Sequence, residues 1–328
     1  MDPFDDGFLD GSSCSTDFVT DDECVEGEGG MEGTITDRST QSWSNANSTV
    51  EIPRSSAFPP EPSVDGVLPD TVLISSDAVF FYTNADKLTH ASVNNFNDCF
   101  LIDDLMASTH SPKLTQLSES ADLLNILLHV IYDRNFAQFS PPLDLVLATV
   151  DTLLKYGVLL DQVISPSKPL FEYILSQAPR RPIDVYICAA SHHLHSLAVP
   201  VSSYLLSTQL SSITDEQADG MGAIYLKKLF LLQEHRLNIL KGLLLEPPVQ
   251  HTPTLSCGFV EHQRLTRAWS LATASLAWDL QPDKSLYIIQ TTLSSLGSQL
   301  SCQDCRAKLH ERIKSVLTEW MMAPRTIE

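Results

Sequence analysis

Basic residues are scarce in this chain: 21 Lys and Arg stand against 41 Asp and Glu in 328 residues, a formal charge of −20 at pH 7. Holding DNA or RNA by its phosphates needs clustered Lys and Arg to displace counterions, so direct nucleic-acid binding is not expected. The basic pairs Arg180-Arg181 and Lys227-Lys228 are isolated and read as solvated faces. Long apolar runs are missing too. None reaches the ~18 residues that would span a bilayer, so no membrane segment is expected. The N-terminus, MDPFDDGFLDG, is acidic where an export signal would be basic, and it has no apolar core. Seven cysteines, an odd number spread over a long chain, fit reduced thiols and an intracellular (cytoplasmic or nuclear) location.

Catalytic signatures are also lacking. The chain has no G-x-S-x-G, no phosphate-cradling G-x-x-x-x-G-K-[ST], no G-x-G-x-x-G and no H-E-x-x-H. Ser165-Pro-Ser-Lys168 has the S-x-x-K spacing but sits in a proline-broken linker. That chemistry needs a helical turn to bring the lysine beside the serine. The expectation is therefore a non-enzymatic protein with no small-molecule substrate and no cofactor.

What is present is uneven. Residues 1–68 hold 15 Asp and Glu against Arg38 and Arg54, in a background of Ser, Thr, Gly and Pro with almost no apolar period. Such a segment buries too little surface to offset its ordering entropy and is expected to be an acidic disordered tail. Phe4, Phe8, Leu9 and Phe18 lie among the acids, a mixture that also suits a docking or activation segment.

The stretch Lys113–Tyr156 is the best patterned in the chain. Leu114-Thr-Gln-Leu117 alternates as an edge strand would. Ser118 is expected to cap a helix over about Glu119–Tyr132, with Glu119 and Asp122 in its first turn. Its apolar residues, from Leu123 to Ile131, cover most of the circumference, which marks a buried helix. Pro141-Pro142 breaks the chain. A second helix follows over about Leu143–Tyr156, with Leu145, Val146, Thr149, Val150, Leu153 and Leu154 on one side and Gly157 as its stop.

Upstream, Asp70–Tyr82 reads as a hairpin, and Lys87, Leu88, Ser92, Phe96 and Phe100 follow where a pair of short helices is expected. On these residues the chain resembles a BTB/POZ domain, and within that family the BTB proteins of mushroom-forming fungi. The segments LLHVIYD, LLKYGV, APRRPIDVYICAASHHLHSLAV and the closing RTI extend the likeness over roughly residues 69–328. Asn84 stands where the family usually has His, which leaves open the hydrogen bond made there and the function it serves.

The resemblance implies an α+β fold: a BTB/POZ domain over 69–160, built as a small three-stranded sheet with helices, then a helical extension over 161–246 and a C-terminal helical region over 247–328. It also implies a scaffold, a protein–protein interaction module that forms a homodimer through the BTB unit. Two alternatives stand beside this. One is a substrate adaptor of a cullin-type ubiquitin ligase, for which Leu101-Ile-Asp103 only loosely matches the hydrophobic-x-Glu motif. The other is a transcriptional co-regulator acting through the acidic tail.

From Pro169 the pattern is helical. Helices are expected over Pro169–Leu175, Ile183–His192, His195–Leu206 with a break near Pro200, and Ala223–Leu245 stopped by Pro247-Pro248. Others are expected over His262–Leu280, Asp283–Leu296 and Cys302–Met322, with Trp269, Trp278 and Trp320 spaced as packing residues. His192 and His195 share a helical face, but no Cys, Asp or Glu lies close in sequence to complete a metal site. The stronger metal candidate is Cys302-Gln-Asp-Cys305 with Cys257 and His251 from the proline-punctuated loop before. His262 and His310 are alternative fourth ligands. Against zinc stands the simpler possibility of two reduced thiols in a first helical turn, and the sequence leaves the choice open.

Overall fold

The computed structural model describes residues 53–62, 66–100 and 112–328, a mixed α+β arrangement of eleven helices and one three-stranded sheet. The acidic segment 1–52 and Leu101-Ile-Asp103 lie outside the described residues.

β1 (Thr71–Ile74) is central, because Thr71, Val72 and Leu73 are all buried and the strand can shed water on both faces. β2 (Phe80–Thr83) pairs with it antiparallel, Val72 opposite Tyr82. β3 (Lys113–Gln116) pairs with it parallel, Val72 opposite Leu114, so the order is β2-β1-β3. β3 alternates half-buried and exposed residues, as the edge position requires. The other edge is occupied. Pro53–Phe58, within the segment read as tail, runs along β2: the Ser55 N–H donates to the Phe80 carbonyl, and the Tyr82 N–H to the Phe58 carbonyl. Phe58 is buried against Phe81, His129 and Tyr132, apolar area enough to order this short strap.

α1 (Ala85–Ala91) follows β2. Asn84 caps it at the backbone level and is buried. Its side-chain amide donates to the Leu68 carbonyl (2.9 Å) and its N–H to the Tyr132 hydroxyl (3.0 Å), so this position does make hydrogen bonds. The second short helix expected around Phe96 is instead a left-handed turn, with φ between 51° and 58° at Asn95, Phe96, Asn97 and Asp98. Its anchor is Ser92, whose hydroxyl donates to the Tyr156 carbonyl (2.7 Å) and accepts from the Phe96 N–H (2.8 Å).

α2 (Ala121–Ile131) is the buried helix that the apolar pattern predicts. Its cap is Ser120 and not Ser118: the Ser120 hydroxyl accepts from the Leu123 N–H, and Asp77 from the β1–β2 turn accepts from the Ala121 N–H. Glu119 therefore precedes the helix and turns inward. Its carboxylate accepts from Lys155 Nζ (2.5 Å), Tyr156 Oη (2.5 Å) and Ser118 Oγ (3.1 Å). α3 (Leu143–Lys155) packs on α2 through Val146, Thr149, Val150 and Leu153, whereas Leu154 is exposed. Gly157 ends α3 at φ 72°. A Cβ there would lie 2.3 Å from Asn94 Oδ1, so both backbone conformation and space demand glycine.

α4 (Leu160–Val163), α5 (Pro169–Gln177), α6 (Pro182–Ser191) and α7 (His195–Ser202) continue the same core. Pro200 lies inside α7, which passes into a 3-10 turn over Ser203–Leu205. The longest element is α8 (Asp215–Leu245). Thr214 and Gln217 close a capping box at its start, and Gly222 (φ 68°, ψ 158°) kinks it just before the expected onset.

Two hydrophobic cores meet along α8. The first takes Tyr225, Leu229 and Leu232; the second takes Leu240, Leu243 and Leu244. α9 (Phe259–Trp278), α10 (Leu286–Ser294) and α11 (Gln303–Met322) complete the second core around Trp269 and Trp320. Trp278 is not a packing residue. It is 94% exposed, because it stands on the opposite side of α9 from the buried Trp269. The C-terminus returns to the first core, where Ile327 is buried and its N–H donates to Ser202 Oγ (3.0 Å).

Candidate metal centre

The loop between α8 and α9 carries Pro247, Pro248 and Pro253, which keep it out of either helix. It closes in a tight turn at Thr254–Cys257. The Thr254 N–H donates to the Cys257 carbonyl (2.8 Å), and the Cys257 N–H donates to Thr254 Oγ1 (3.1 Å). Gly258 then caps α9, with its N–H donating to Glu261 Oε2 (3.0 Å). The turn fixes the Cys257 backbone and points its thiol into the second core, where it is buried.

Opposite stands the start of α11. Cys302 is its cap residue and Cys305 lies one turn on, so the two thiols share a side of the first turn. Cys305 is buried and Cys302 half-buried. Cys257 Sγ lies 3.5 Å from Cys305 Sγ. His251 Nε2 lies 3.4 Å from Cys302 Sγ and 3.3 Å from Cys305 Sγ. All four donor atoms fall within 4.8 Å of one another, the only such group of His, Cys, Asp or Glu with metal-holding spacing among the described residues.

The second nitrogen of His251 fixes its tautomer. Nδ1 lies 2.7 Å from the Thr252 carbonyl, which can only accept, so Nδ1 carries the proton and the Nε2 lone pair faces the sulfurs. That same hydrogen bond is the first reason the imidazole is shifted above its ordinary value. The peptide N–H of Cys305, facing the cap sulfur, pulls the Cys302 thiol down to about 7. Burial pushes the Cys305 thiol up to about 12, and burial likewise raises Cys257.

Of the alternative ligands, His262 is buried on α9 with its Nε2 3.2 Å from His251 Nε2, behind the primary group. His310 is exposed on α11 and takes no part. His192 pairs with Asp151 (2.9 Å), and the rings of His193 and His195 face Tyr225. Lys168 of the S-x-x-K segment pairs with Asp133 (2.8 Å).

Sequence reasoning missed Arg236. It is buried in α8 and donates to the carbonyls of Pro282 (2.5 Å), Ala323 (2.9 Å) and Pro324 (2.8 Å). Its signal was there to find, since Leu229, Leu232, Gln233, Arg236 and Leu240 share the buried stripe of α8.

No family model, curated protein or solved structure matches this chain.

Proposed function

We propose that the chain is a non-enzymatic interaction protein, a BTB-type unit that self-associates and carries a helical region able to hold a second partner. The observation that carries this reading is the sheet itself. It has the hairpin, the third strand and the two packed helices that the resemblance implies, in the order β2-β1-β3.

The asymmetry of the two edges supports self-association. Pro53–Phe58 covers the β2 edge, whereas β3 has a neighbour on one side only among the described residues. Leu114 on β3 is 64% exposed, an apolar side chain standing on that edge. A second copy would bury Leu114 across a two-fold axis.

Co-expression of two differently tagged full-length copies tests this. Each tag is expected to recover the other copy, and Leu114→Asp is expected to abolish recovery while circular dichroism stays unchanged. Failure of the unaltered chain to co-purify would refute self-association. Indifference to Leu114→Asp would place the contact elsewhere. Leu101-Ile-Asp103 and the acidic tail, which carry the adaptor and co-regulator alternatives, add no support here.

A further inference from the structure

We propose that His251, Cys257, Cys302 and Cys305 bind one Zn²⁺ in a tetrahedral structural site that fastens the loop before α9 to the first turn of α11. This rests on the donor geometry alone and is independent of the proposed self-association.

Three of the six donor separations are close to a tetrahedron's edges, and all six fall within 4.8 Å. With Zn–S near 2.3 Å and Zn–N near 2.0–2.1 Å, tetrahedral zinc separates two sulfurs by about 3.8 Å and a sulfur from a nitrogen by about 3.5 Å. The 3.5 Å between Cys257 and Cys305, and the 3.4 and 3.3 Å from His251 to Cys302 and Cys305, need shifts of only tenths of an ångström. Three soft sulfurs with one imidazole suit zinc over the harder cations, which prefer oxygen. Four protein donors close the coordination shell and leave no position for water or substrate, so the site is structural and not catalytic. Thr252 supplies the outer hydrogen bond that orients the histidine ligand.

A disulfide accounts for the cluster less well. Bonded sulfurs lie about 2.05 Å apart, so any pair would have to close by more than an ångström, leaving one thiol and the aligned His251 lone pair without a role. Zinc uses all four donors at once. Binding releases one proton from each thiol, forms three Zn–S bonds and one Zn–N bond, and leaves a net charge of −1 on the site.

The test is the metal content of the full-length chain, purified under reducing conditions without chelator. One zinc per chain is expected by elemental mass spectrometry. Cobalt substitution should produce a sulfur-to-metal charge-transfer band and the strong visible bands of a tetrahedral ion. Cys257→Ser, Cys302→Ser and His251→Ala are expected to lose the zinc, whereas Cys99→Ala and His262→Ala retain it. A chain without zinc, or a Cys257–Cys305 disulfide in the peptide map, would overturn the proposal. Loss of zinc in His262→Ala with retention in His251→Ala would overturn the ligand assignment. Should the ligand variants fail to fold, the zinc content and cobalt spectrum of the unaltered chain still decide.

Discussion

The guanidinium of Arg236 lies over the indole ring of Trp320, its central carbon 4.1 Å from the ring centroid. Trp320 Nε1 in turn donates to the Lys284 carbonyl (2.9 Å). Arg236 stands on α8 between the two cores, and its three carbonyl partners come from the segment before α10 and the chain's last turn. One side chain thus joins the longest helix to the segment before α10 and to the segment after α11.

Replacing it exposes what it does. Burial, assisted by the Arg325 charge, pulls the guanidinium down to about 10, so it is still a cation at pH 7. Arg236→Met keeps much of the volume but leaves buried carbonyls without donors, at about 1–3 kcal/mol for each one not rescued by water. Urea unfolding should show a lower midpoint. An unchanged midpoint would mean that solvent already satisfies those carbonyls.

Acid should destabilise the first core in two stages. Burial alone would raise Glu119, but hydrogen bonds from Lys155, Tyr156 and Ser118 outweigh it and hold the carboxyl below its ordinary value. The unfolded chain therefore takes up this proton first. Glu119 stabilises the fold above about pH 4.3, and that contribution fades as pH falls toward its lowered folded value. Burial, with Arg134 nearby, also depresses His129, although the Asn125 carbonyl opposes this. Its contribution is full above about pH 6.5 and shrinks below. A urea series from pH 7.5 to about pH 3.5, compared with Glu119→Gln and His129→Asn, should flatten the lower and upper parts of the curve respectively.

Gly157→Ala places a methyl group against Asn94 Oδ1 at a backbone angle that L-residues rarely adopt. The expected cost is about 1–3 kcal/mol. Ser92 and Asn94 hold the left-handed turn to the end of α3, so hydrogen exchange should quicken at Phe96 and Asn97, whose amides they accept. A variant as stable as the parent would contradict the close approach.

Phe58→Ala should cost about 3–5 kcal/mol, the range for emptying a buried aromatic site. A segment that were only a solvated tail would lose nothing. Thermal unfolding of this variant therefore measures whether Pro53–Phe58 is part of the first core.

Periodic features were legible in the sequence. The apolar circumference of α2, the Leu stripe of α8 and the Cys302–Cys305 spacing each state their structure within a few turns of chain. His251 and Cys257 were nameable as ligand candidates because they share a proline-punctuated loop, with His262 and His310 as alternatives that the sequence alone left open. What stayed hidden depends on distant partners. Ser118 and Ser120 are equally good caps locally, and Lys155 and Tyr156, 36 and 37 residues on, draw Glu119 out of the helix. The left-handed turn at Asn95–Asp98 has no periodic signal, since Ser92 and the end of α3 impose it. Phe58 sits in a composition that resembles the polar tail around it, and only the shape of the site beside Phe81 distinguishes it. Trp278 reads as a packing residue, yet it lies on the face of α9 away from the buried Trp269 and Leu276.

Self-association is the central claim, and light scattering of the full-length chain over a concentration series tests it most directly. The expected mass is twice that of one chain at every concentration, falling to the single-chain value for Leu114→Asp. The single-chain mass for the unaltered protein throughout the series would contradict it.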